Sequence, residues 1–207
     1  MTATLSFQGS LLDPPGATPA IDATFAGIRR HRLPERAWID RLPQWVAAAD
    51  QLFATAFEAL EWREGTERIR GAEVARPRLV ATPPADRLPA GLSLLGDMAE
   101  ALSDRYRLRL DRITCNLYRD GRDSVAWHGD RIARDLREAT VAVVSLGEPR
   151  PFRLRPREGG SSMSWAAGRG DLIVMGGSCQ RTCEHSVPKV AAAGPRIAVM
   201  FRHAYDH

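Results

Sequence analysis

From Arg109 to Arg202 the chain reads as a succession of short strand-forming segments cut by turn residues, and this limits the fold more than any other feature. The segments are Asp111–Tyr118, Ser124–His128, Thr140–Leu146, Phe152–Arg155, Asp171–Met175 and Pro195–Arg202. Between them lie Asp120-Gly121, Gly147, Gly159-Gly160 and Gly176-Gly177. Many short strands with evenly scattered turns predict a sandwich or barrel of the jelly-roll kind. No internal repeat is present.

The first half is patterned differently. Residues 1–34 are punctuated by Pro and Gly and read as an irregular N-terminal arm. Asp40–Leu60 reads as a helix, with Leu42, Trp45, Val46, Leu52, Phe53 and Leu60 at helical spacing and Pro43 in the first turn. Residues 61–87 are charged and Pro-rich, and short extended pieces and loops are expected there. A second helix is expected over 91–103, with Leu92, Leu95, Ala99 and Leu102 on one side. At 207 residues and 44% hydrophobic the chain has material for one core. One domain is therefore expected over 35–207, with a helical and lid part at 35–108 and a strand-built core at 109–207.

No apolar run of 18 residues appears, so no membrane helix is expected. The first ten residues lack a basic segment followed by an apolar one, so no secretory signal is read there. Cys115, Cys179 and Cys183 make no disulfide framework, and a reducing cytoplasm is the expected compartment. The formal charge of +4 is carried mostly by arginine, whose planar fork suits carboxylates and phosphates. That balance is compatible with nucleic acid without requiring it.

The chemistry begins at Trp127-His128-Gly129-Asp130. Side chains alternate along a strand, so His128 and Asp130 share a face and can chelate one metal. His185 supplies a second imidazole downstream. Two histidines and one carboxylate are the facial triad of non-haem iron oxygenases. Such a triad leaves coordination positions for a 2-oxo acid and O2. Each of these residues taken singly is more often a surface or core residue than a ligand. On the last segment Arg196 and Arg202 are six apart and share a face with Ala198 and Met200, while Ile197, Val199 and Phe201 form a core row. Buried arginines need anionic partners, and a dicarboxylate supplies two. Six residues of strand span roughly 20 Å, so both guanidiniums must lean inward to share one small ligand. Asn116 and Tyr118 share another strand face and can each hydrogen-bond a carboxylate.

Together these blocks resemble the AlkB family of nucleic-acid dealkylases. The matching text is Asn116–Ser124, Trp127–Asp130, Val144–Gly147, His185–Lys189 and Arg196–Arg202. The resemblance covers about residues 76–202 and is strongest over 112–202. It implies an α+β fold with a mainly-β core, a double-stranded β-helix (jelly roll) with N-terminal helices packed on one side. It implies that His128, Asp130 and His185 hold Fe(II), and that Asn116, Tyr118, Arg196 and Arg202 hold 2-oxoglutarate. By analogy Arg196 pairs with the distal carboxylate and Arg202 lies nearer the metal-bound end, among the catalytic residues. The implied reaction uses O2 and 2-oxoglutarate to hydroxylate an alkyl carbon on a base nitrogen, after which an aldehyde leaves and the base is restored.

The chain departs from the family pattern in two places. Pro77-Arg78 is similar to the family's entry to the base pocket, but the usual nearby aromatic-Gly-Asp is missing. Trp62 is the candidate for the second base-stacking wall beside His128, and Arg78 a candidate substrate contact. After Asp130, where relatives carry a further acid, this chain has Arg131, a candidate phosphate contact with Arg134 and Arg137. The expected activity is repair of DNA carrying 1-methyladenine or 3-methylcytosine, by a monomer that needs no membrane. Three alternatives stand beside it: the same chemistry on tRNA or other RNA, the same chemistry on a protein or small molecule, and a nucleic-acid-binding module without catalysis. A zinc site on Cys179, Cys183 and His185 is a further rival, but leaves His128, Asp130 and both arginines unexplained.

Overall fold

A computed structural model describes residues 16–69, 72–130, 132 and 136–203. In chain order the strands and helices are β1 (Ala20–Ile21), β2 (Arg29–Arg32), β3 (Trp38–Leu42), β4 (Val46–Ala47), α1 (Ala49–Ala59), β5 (Arg63–Ile69), β6 (Ala72–Ala81) and α2 (Leu94–Tyr106). There follow β7 (Arg112–Tyr118), β8 (Val125–His128), β9 (Val141–Gly147), β10 (Arg150–Pro156), β11 (Met163–Ala167), β12 (Asp171–Gly176), α3 (Cys179–Thr182), β13 (Cys183–Val187) and β14 (Arg196–Arg202). Eight strands form a major sheet in the order β2-β3-β12-β9-β14-β7-β6-β5, and four form a minor sheet in the order β11-β10-β13-β8. Every pairing is antiparallel, and the fold is a jelly roll.

The alternation of side chains builds two cores. On β14, Ile197, Val199 and Phe201 face one way, joined by Ile113, Cys115 and Leu117 of β7 and by Ala142, Val144 and Leu146 of β9. Leu52, Phe53 and Ala56 of α1 and Leu95, Met98 and Leu102 of α2 cover this layer. The other face carries Ala198, Met200, Val141 and Val143 toward Phe152, Leu154 and Val187 of the minor sheet. All seven residues of β9 are buried because it lies mid-sheet with a layer on each face. Gly147 closes β9 with φ of +80°; a Cβ there would lie 2.6 Å from the Pro195 carbonyl and 2.9 Å from the Phe53 ring, so only glycine fits.

Three expectations need correction. The first helix begins at Ala49, not Asp40: residues 38–42 are strand β3, and Gln44 and Ala48 have φ of +51° and +49°. Leu42, Trp45 and Val46 are buried as expected, but by a strand and a turn that mimic helical spacing over a few residues. Residues 20–32, expected to be irregular, contain β1 and β2. The four exposed residues of β2 show no alternation, yet Arg30 chelates the buried Asp40 with two 2.7 Å hydrogen bonds and lies 3.8 Å above the Trp38 ring. Residues 61–87 contain a long hairpin, β5–β6, which joins the major sheet through β7. A division at 108/109 therefore cuts through one sheet, which takes β2, β3, β5 and β6 from before it.

Candidate active site

Between the sheets lies a cavity of about 690 Å³. His128 on β8 and His185 on β13 are register partners across the minor sheet, with ring centroids 4.2 Å apart. Asp130 follows β8 and turns its carboxylate to the same point. Ligand atoms of His128, Asp130 and His185 lie within 4.8 Å of one another, and among the described residues no other three or more of His, Cys, Asp and Glu cluster in this way.

Each member is oriented by its surroundings. His128 Nδ1 donates to the Ala126 carbonyl at 2.8 Å, and Nε2 faces the cluster, 3.9 Å from Asp130 Oδ1. His185 packs against the Phe152 ring at 5.6 Å, and burial lowers its pKa to about 3, so the imidazole is neutral and able to bind a cation. The Asp130 backbone N–H donates to Gln180 Oε1 at 2.9 Å. Burial opposes ionisation of Asp130, but Arg202, the two histidines and Arg78 outweigh it and hold the carboxyl below its ordinary pKa. The Arg202 Nη2 donates to Asp130 Oδ1 at 3.1 Å.

Gly129 fixes the turn between His128 and Asp130. A Cβ there would fall 2.8 Å from the Gln180 carbonyl and 2.3 Å from Arg157 Nη2. The arginine can swing away, but the backbone carbonyl cannot. Gly129→Ala is therefore expected to displace the His128–Asp130 segment and weaken metal binding about 10-fold or more. Titration with Co(II), followed by its visible absorption, checks this.

At the other end of β14 Arg196 is 1% exposed. Its Nη2 donates to Ser145 Oγ at 2.7 Å and its Nε to the Ala167 carbonyl at 3.2 Å. Among the described residues its Nη1 is buried without a partner, and so is Nε of Arg202. Asn116 and Tyr118 line the same cavity, and the Asn116 amide donates to the Met200 sulfur at 3.6 Å. Leaving buried donors unpaired costs about 1–3 kcal/mol each, so these atoms suit an anionic ligand with an acceptor at each end. A dicarboxylate fits that donor set, as a divalent metal fits the two imidazoles and carboxylate.

Other expected contacts fall elsewhere. Trp62 does not line the cavity: it follows α1 directly, its indole N–H donates to the Phe57 carbonyl at 2.9 Å, and its ring packs on the helix-covered core. It is not placed to form the second base-stacking wall. Arg78 does line the cavity. Arg131 and Arg134 lie outside the described residues, and Arg137 is exposed. The Trp127 ring carries the Arg155 guanidinium at 4.2 Å, with Arg155 bonded to Glu184.

Sequence reasoning missed Ser145, Gln180, Phe152, Arg76 and Arg150. Ser145 had a signal, being the one polar residue of an apolar strand. The guanidinium of Arg150 is fully buried and binds the carbonyls of Asp120, Asp123 and Pro188, which ties the β7–β8 turn to the segment after β13. Cys179 and Cys183 are buried free thiols. Changing both to Ser is expected to leave metal stoichiometry unchanged by elemental analysis; loss of stoichiometric metal would restore the zinc reading.

A model of the 2OG-Fe(II) oxygenase superfamily matches residues 42–202. The chain is 34% identical over 182 residues to human alpha-ketoglutarate-dependent dioxygenase alkB homolog 3, covering 77% of this chain and 63% of that protein. The mouse protein of the same name is 29% identical over 127 residues, 56% of this chain and 44% of the relative. The chain thus spans less than two thirds of these relatives. A Trichoplax adhaerens prolyl hydroxylase, solved with a hypoxia inducible factor peptide, superposes with a TM-score of 0.58 at 15% identity, covering 79% and 83% of the two chains. OsALKBH1 superposes with a TM-score of 0.55 at 13% identity, covering 85% of this chain and all of that one. Among the described residues no helix is long and apolar enough to cross a membrane.

Proposed function

The chain belongs to the 2OG-Fe(II) oxygenase superfamily, whose members use Fe(II), 2-oxoglutarate and O2, and on that premise we propose that it oxidatively demethylates N-alkylated bases in DNA. The preferred lesions are of the 1-methyladenine and 3-methylcytosine type, and the outcome is direct reversal of the damage. The observation that carries this reading is a cavity holding the His128, Asp130, His185 cluster and the unpaired N–H groups of Arg196 and Arg202, in a chain similar to alkB homolog 3 proteins.

His128, Asp130 and His185 would hold the iron; Asn116, Tyr118, Arg196 and Arg202 would hold 2-oxoglutarate. When bound, these groups and O2 supply an oxidation that hydroxylates an alkyl carbon while 2-oxoglutarate becomes succinate and CO2. The chain's part is orientation and exclusion. The Ala126 carbonyl fixes the His128 tautomer, and Arg202 holds Asp130 ionised. Arg196, braced by Ser145 and Ala167, gives an anion a fixed address at the far end of β14. A base must leave its stack to enter such a cavity, and a cationic lesion pairs weakly and leaves easily. The His128 ring, 36% exposed, offers it a stacking face.

The test is succinate release by the Fe(II)-loaded protein with 2-oxoglutarate, with and without an oligonucleotide carrying one 3-methylcytosine, the base being weighed in the same tube. Succinate with a lesion lighter by one methylene supports the reading. Succinate with the lesion intact overturns the substrate and moves the search to tRNA, peptides and metabolites.

A further inference from the structure

The β5–β6 hairpin directs two arginines into the cavity, Arg76 and Arg78, of which only Arg78 also bears electrostatically on the metal-ligand candidate Asp130. Val80 pairs with Asn116, which sets the cavity face of β6, and alternation puts Arg78 and Arg76 on that face. Both line the cavity. Arg78 Nη1 donates to the Ser124 carbonyl at 3.3 Å, and Nε of each arginine is buried without a partner among the described residues. Neither has an ion pair among the described residues. Arg76 lies over Gly65, where a Cβ would fall 3.2 Å from its Cδ and 3.7 Å from its Nε. The strand ladder shifts register at this point, between Glu64 and Thr66, and gives the guanidinium its seat.

The chemistry of these atoms narrows what they bind. Two half-buried guanidiniums with N–H groups unspent call for an acceptor, and their charge calls for an anion. A base carrying a positive charge is repelled by them, so they cannot face the lesion itself. Resting on the nucleic-acid reading of the cavity, we propose that Arg76 and Arg78 form a clamp for the phosphodiester flanking the extruded base. The clamp makes the cavity select a nucleotide within a strand over a free nucleoside. It assigns to the hairpin a binding role that does not depend on an aromatic wall.

The test uses the whole chain and a fluorescently labelled, unmodified single-stranded oligonucleotide, with binding read by anisotropy at several salt concentrations. Arg76→Gln and Arg78→Gln should each weaken binding several-fold. Each should also lower the slope of log affinity against log salt by about 0.7. Arg76→Lys, which keeps the charge, should restore the slope. The KM of Arg76→Gln for 2-oxoglutarate should not move. With 1-methyladenosine, which has no phosphate, Arg76→Gln should turn over like the wild type, while its KM for methylated oligonucleotide rises about tenfold. An unchanged salt slope in both glutamine variants, or equal losses of Arg76→Gln on nucleoside and oligonucleotide, overturns the clamp even if the wild type dealkylates DNA. Wild-type binding with the expected slopes but no dealkylation keeps the clamp and overturns the dealkylase reading instead.

Discussion

His128→Ala is expected to reduce succinate formation by more than about 100-fold, with the fold intact. Changing groups that merely support a metal ligand costs about 10–100-fold, and this change removes a ligand outright. The fold should tolerate it because the ring is 36% exposed and its one hydrogen bond is to the Ala126 carbonyl. Asp130→Ala and His185→Ala should abolish turnover too, but each disturbs more. Asp130 is the partner of Arg202, and His185 fills space against Phe152. Pairing single-turnover succinate measurements with thermal melts separates the effects. Retained activity in any of the three variants would remove the metal assignment.

Arg196→Ala is expected to raise the KM for 2-oxoglutarate at least about 30-fold. Truncating one partner of a buried, charge-assisted pair costs about 2–5 kcal/mol, and about 1.4 kcal/mol is tenfold in affinity. The guanidinium is fully buried, and burial pushes its pKa below the ordinary value, so it gains much from an anionic partner. Its loss leaves Ser145 Oγ and the Ala167 carbonyl without their donor, so a modest fall in melting temperature should accompany the kinetic effect. The KM for oligonucleotide should stay within about twofold, since Arg196 is not a proposed nucleic-acid contact. An unchanged KM for 2-oxoglutarate would take Arg196 out of the site.

Six strands of the second half, β7, β8, β9, β10, β12 and β14, were legible from strand-forming runs bounded by turn residues, whereas β11 and β13 were not. On β14 the alternation of Arg196, Ala198, Met200 and Arg202 with Ile197, Val199 and Phe201 appears in the fold as two faces, one on the cavity and one in the core. His128 and Asp130 were legible by spacing alone. What failed did so where long-range contacts decide. β13, which carries His185, reads Cys-Glu-His-Ser-Val and is a strand because β10 and β8 hydrogen-bond it on both sides. β6 contains Pro77, a residue that argues against a strand. It is tolerated because it opposes the register shift around Gly65, while its carbonyl accepts from the Ser124 N–H at 2.8 Å. Trp62 was misplaced because nearness in sequence says nothing about which side of α1 an indole will cover.

The hairpin's place in the sheet has a consequence for how such a chain can change over generations. β14 lies between β9 and β7, and β13 between β10 and β8, so neither can slip without breaking two ladders. β5 is the outermost strand of its sheet, and β6 meets β7 over only three residue pairs. Insertions, deletions and exchanged side chains in the hairpin therefore disturb the ladders that carry His128 and His185 little. The side chains at the cavity mouth can thus be exchanged without moving the strands beneath them.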